Sequence, residues 1–258
     1  MTAAAVPLLA AALYVAATWR CRVPWPLART ATWLAGLAAV AAGWVLAGAH
    51  SDLRQHMAGH LLLGMLGPLL LVLAAPVTLA LRALPVGAAR RLARALRTRP
   101  ARWLTDPLVA VPLNAAGLWL LYGTGLHTAL VHRPALGALV SVHVLVSGYL
   151  ATAAVLAVDP APHRRGVGVR AGALAAGMAA HDVLAKWLYA APPAGLTSVE
   201  EGARLVYDGG TVVSLLTAAV LWRRWYVSRA AVRPERGQPT GQATSRCTVA
   251  GSTSRPVR

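Results

Sequence analysis

The 258-residue chain has no phenylalanine and no isoleucine, a single lysine (Lys186), a single asparagine (Asn114), two cysteines and only 8 acidic residues. Each shortage excludes something. Cys21 and Cys247 stand far apart, so no Cys-x-x-Cys redox motif or thiolate metal spacing is present. The missing residue types are those with AT-rich codons, which points to a high-GC bacterial genome. The scarcity of acid leaves a formal net charge of +17, yet only 13% of the residues are charged and 57% are apolar. A nucleic-acid-binding domain with that excess would spend its surface on charge, so this balance excludes one. The apolar content also excludes disorder over most of the chain. What fits is an all-α, polytopic membrane helix bundle whose positive charge is confined to loops.

Seven apolar stretches are long enough, at about 1.5 Å per residue, to cross a hydrocarbon core of about 30 Å. They run over Ala3–Trp19, Thr30–Ala49, Met57–Leu81, Pro107–Tyr122, Leu136–Val158, Ala171–Ala190 and Tyr207–Trp222. The first and last are short, and a six-helix reading demotes one of them. The first lacks a basic leading segment, unlike a cleaved signal peptide. The third holds Pro68 and Pro76 and is expected to be kinked. Of the 25 basic residues, 21 fall in odd-numbered connections or the tail. The positive-inside rule then puts the N-terminus outside and the C-terminus in the cytoplasm. The segment Arg82–Arg102 reads either as a solvated topology determinant or as an amphipathic helix on anionic headgroups. Residues 1–227 form the bundle, and 228–258 read as a disordered basic cytoplasmic tail. The expected location is the bacterial cell membrane, with multiple passes.

This topology sorts the histidines. His50, His56, His60, His127, His132, His143 and His181 lie on or toward the outer half, and His163 alone is cytoplasmic. In His56-Met57-Ala58-Gly59-His60 the two imidazoles are four apart and share a helix face, with a thioether between them. Imidazole with thioether suits copper, above all Cu(I). Within the spans, His143, His181, Asp182 and Lys186 are ionisable groups of a kind that usually faces a bundle interior. Asp182 and Lys186 have the spacing of a helical ion pair. Asp208 reads as an N-cap opening the last span, with Gly209-Gly210 allowing close helix contact. The candidate metal ligands are therefore His56, Met57, His60, His143, His181 and Asp182, with copper as the candidate metal.

The block His56-Met57-Ala58-Gly59-His60, then Pro68, Ala75-Pro76-Val77-Thr78-Leu79 and Arg82-Ala83-Leu84-Pro85, resembles the third-span signature of the polytopic CtaG-type assembly factors of caa-type cytochrome c oxidases. The resemblance continues through His132-Arg133-Pro134, His143, Gly148, Asp159-Pro160 and Gly209-Gly210, covering roughly residues 30–225. It implies a non-enzymatic role in maturing a haem-copper oxidase, with oxidase subunits and the lipid membrane as partners and copper handled on the outer face. Two departures stand out. Gly59 occupies a position where the family usually has Gln, and Val212 and Val213 stand where it commonly has Met-Trp. Two other classes remain open on the residues alone: a b-type haem redox protein with paired intramembrane histidines, and a metal-ion or proton transporter along His143, His181, Asp182 and Lys186.

Overall fold

In the computed structural model the described residues are 2–21, 23–48, 52–124, 126, 129, 133–160, 164–192 and 195–230. His50, His127, His132, His163 and the expected tail beyond 230 lie outside them. The described residues form helices joined by turns and short extended segments, with no strand among them and one isolated bridge between Asp52 and Thr197. The helices are α1 (Thr2–Arg20), α2 (Leu27–Ala47), α3 (Leu53–Leu61), a π-helical turn (Leu62–Leu66), α4 (Gly67–Leu73), α5 (Pro76–Ala83), α6 (Val86–Leu96), α7 (Arg99–Leu104), α8 (Pro107–Gly123), α9 (Pro134–Leu156), α10 (Val167–Ala190) and α11 (Val199–Ala230).

Four segments are long and apolar enough to cross a membrane: Leu27–Ala47, Leu53–Ala83, Pro134–Leu156 and Val199–Ala230. Ala5–Arg20 and Pro107–Gly123 are apolar but shorter. The sixth expected span, α10, has 24 residues, but Arg170, Asp182 and Lys186 lower its hydropathy.

The expected kinks of the third span take two forms. Pro68 has no N–H to give its fourth predecessor and its ring crowds that carbonyl. The chain answers one turn earlier by widening to the π-helical turn, where Gly67 N–H donates to Leu62 O. Ala75 precedes Pro76 and is pushed out of the right-handed helical region, adopting φ 54°, so α4 ends there. The groups freed by this break are claimed from afar. The Tyr14 hydroxyl donates to Ala74 O at 2.8 Å, and Asp159 accepts from the Thr78 N–H at 2.7 Å and from Val77 N–H at 3.3 Å, capping α5.

The α3–π–α4 segment runs through the middle of the bundle, with α2 on one side, α11 beside α3, and α9 across the π turn. Helix α10 packs between α11 and α8. Charge separates into two poles. At one, Arg29 and Arg82 lie over the Trp25 ring, Arg165 pairs with Asp106 at 2.6 Å, and Arg164 and Arg224 lie near Asp159. At the other, Asp52 caps α3 and Arg54 meets Glu201 at 3.2 Å.

Two expectations for the last helices are corrected. Asp208 is no N-cap: α11 begins at Val199, so Asp208 sits in mid-helix and exposed. Asp182 and Lys186 do not pair among the described residues, because the Lys186 ammonium lies 5.4 Å from the centre of the Tyr207 ring instead. Among the described residues, helix α11 runs to Ala230.

Candidate functional site

Helix α3 turns His56, Met57 and His60 inward, all three buried. Its start is fixed by the Asp52 side chain, which accepts from the N–H groups of Arg54 and Gln55. Its approach to α2 is fixed by Gly59, where any Cβ would overlap the Ala47 backbone. A side chain there would force the two helices apart.

The three residues do different things. The Nδ1 of His56 lies 2.8 Å from Ala47 O, which can only accept, so this nitrogen carries the hydrogen and donates. Nε2 is then left to accept from the Tyr122 hydroxyl at 3.1 Å. Both nitrogens of His56 are thus engaged in holding α2, α3 and α8 together. His60, one turn on, stacks against His181 of α10 with ring centroids 5.9 Å apart and planes within 16°. The Tyr122 ring stands edge-on to both His56 and His60.

His181 reaches this position because Gly210 of α11 gives it room, since a Cβ there would overlap the imidazole. The close contact expected of Gly209-Gly210 is therefore present, with Leu61 of α3 against Gly209 and His181 of α10 against Gly210. The His181 Nδ1 lies 4.0 Å from Asp182 Oδ1. His181 Nε2 and Asp182 Oδ1 are buried with no hydrogen-bond partner among the described residues. An unpaired buried acceptor or donor is costly, so such atoms call for a ligand or water.

Two spaces adjoin these groups. A gap of about 10 Å³, the room of a single small particle, is bounded by Met57, His60, Tyr122 and His181 together with apolar residues of α10 and α11. A larger cavity of about 100 Å³ opens from His60 and His181 toward Asn114, Ser214 and Thr217. Asn114 accepts from the Ser147 hydroxyl at 2.8 Å, tying α8 to α9 beside that cavity.

Of the six expected ligands, Met57, His60 and His181 converge on one gap, Asp182 flanks His181, and His56 stands behind as a support. His143 does not join them: it is exposed, with its ring against Gly117 of α8. Among the described residues no three His, Cys, Asp or Glu side chains form a ready-made metal centre. Tyr122 and Asn114 were not expected at the site. The sole asparagine of the chain, in the middle of an apolar helix, was the one available signal for the latter.

The chain is 36% identical over 167 residues to two uncharacterized proteins, Mb0105 of Mycobacterium bovis and MT0111 of Mycobacterium tuberculosis. These alignments cover 61% of the chain and a quarter of either relative's length. No solved structure matches it. The family described as "Cytochrome c oxidase caa3 assembly factor" matches residues 12–228. With most of its length inside that match, the chain belongs to the caa3-type cytochrome c oxidase assembly factor family.

Proposed function

We propose that this protein is a non-catalytic, multi-pass assembly factor of the bacterial cell membrane that holds copper as cargo for a haem-copper oxidase. The proposed orientation has the Asp52–Glu201 pole outside and the arginine-rich pole in the cytoplasm, as the positive-inside rule requires. Family membership supports the oxidase role. The observation that carries the copper reading is the small gap shared by Met57, His60 and His181, with His181 Nε2 unpaired at its side. Two imidazoles and a thioether form a soft, neutral donor set that suits Cu(I) in a dry interior. His56 acts as a positioning residue, since ligation would break one of its two hydrogen bonds. His143 belongs to no common site with the others.

The same geometry weighs against the other two readings. Small-molecule sites run to about 300–1,000 Å³, and the cavity beside His60 and His181, about 100 Å³, offers no slot for a porphyrin. A transport path would have to continue to the arginine-rich pole. Leu69, Val72, Val155 and Leu221 form a buried apolar cluster in that direction.

Titration of the purified protein with Cu(I) tests the proposal. Binding is expected, with loss in His60→Ala/His181→Ala; unchanged binding in that double variant refutes the site. In cells, deletion is expected to lower caa-type oxidase activity under copper limitation, and normal activity there refutes the assembly role.

A further inference from the structure

At the arginine-rich pole, a second cavity of about 170 Å³ lies between the ends of α4 and α9 and the start of α8. Its inner walls are apolar, with Val72, Leu150, Ala154 and Val158 among them, while Arg164, Arg165 and Arg170 stand at its rim. The three arginines differ in how far they are occupied. Arg165 forms a double hydrogen bond with Asp106. The Arg164 guanidinium donates to Ala157 O, and one nitrogen of Arg170 donates to Val155 O and Leu156 O, together closing the C-terminus of α9. Arg170 Nε remains buried without a hydrogen-bond partner among the described residues. The cavity's carboxylate, Asp159, already accepts from Val77 and Thr78. Arg164, Arg170 and Arg224 are near enough to repel one another, and Asp159 offsets only part of their charge, so the rim carries excess positive charge.

A rim of excess guanidinium above an apolar cleft matches one chemical class of ligand: an anionic phosphate group attached to a hydrocarbon chain. The geometry points to a binding site for an anionic phospholipid, its phosphate at Arg164 and Arg170 and the start of one acyl chain along Leu150, Ala154 and Val158. Free phosphate shares the headgroup chemistry but leaves the apolar wall bare.

Native mass spectrometry of the full chain in detergent, with phosphatidylglycerol, phosphatidylcholine or inorganic phosphate added, separates these cases. Phosphatidylglycerol is expected to stay bound and to raise the melting temperature, with phosphatidylcholine and inorganic phosphate having little effect. In Arg164→Gln/Arg170→Gln its affinity is expected to fall about twenty-five-fold, from roughly five-fold per arginine. Arg164→Gln alone, at an exposed position that leaves the Arg170 contacts intact, is expected to show the five-fold part and serves if the double variant does not fold. Arg90→Gln/Arg94→Gln, which removes the same charge from exposed α6, is expected to leave affinity unchanged. Equal retention of phosphatidylcholine, an equal shift with inorganic phosphate, or an equal loss in the α6 variant overturns the proposal.

Discussion

At the scale of single residues, four side chains that look alike in sequence have different chemical standing. His56 is saturated by Ala47 and Tyr122, His60 and His181 share a gap, and His143 lies apart. His56→Ala is therefore expected to lower the melting temperature, because it leaves the buried Tyr122 hydroxyl without this partner, a loss of about 1–3 kcal/mol. His143→Ala is expected to change neither stability nor copper affinity, which calorimetry and Cu(I) competition would check. Gly210→Ala drives a methyl group into the His181 ring, and overpacking of this kind costs about 1–3 kcal/mol. At Gly172 a methyl group meets nothing within 4 Å, so Gly172→Ala is expected to be neutral or slightly stabilising. Thermal unfolding of the two variants side by side would show the contrast.

At the scale of elements, the central segment is partly legible in the sequence. The i, i+4 spacing of His56 and His60 and the two prolines announce a kinked helix with both imidazoles on one face, because periodicity and proline chemistry are local; that this face turns inward is not legible. Partners across helices were not legible. The spacing of Asp182 and Lys186 favoured a pair, but the face of α10 that carries Lys186 meets Tyr207, and the ring takes the ammonium. Asp208 before two glycines had the look of a helix start, yet the turns from Val199 onward pack Gly202 against Leu53 and extend α11 backward. Tyr122 left no trace in the pattern of α8, since its role depends wholly on where α3 lies. The α2–α3 contact gives a direct test. Gly59→Gln collides with the Ala47 backbone, so it is expected to destabilise this protein, and Ala47→Gly, which leaves that backbone in place, is expected not to rescue it, as paired melting curves would reveal.

At the scale of the whole molecule, the two poles predict both orientation and acid response. A reporter enzyme active only outside the cytoplasm is expected to work when inserted near Gly195 and to fail when fused after Ala230. The hydrogen bonds from Arg165, helped by the Leu108 N–H, hold the Asp106 carboxyl below its usual range against the opposing effect of burial. A carboxylate lowered on folding contributes stability at neutral pH that is lost as pH falls through the carboxylate range, below about pH 4. Melting temperature is thus expected to drop on acidification, and less steeply in Arg165→Gln. Between the poles, the cavity at His60 and His181 and the one at Arg170 are kept apart by the layer of Leu69, Val72, Val155 and Leu221. Such a layer is an electrical insulator, because a bare ion entering it loses its hydration at a prohibitive cost. In an energised membrane the voltage would drop across this dry layer. Val155→Asn/Leu221→Asp should short that barrier, measurable as proton leak in proteoliposomes whose wild-type counterparts stay tight.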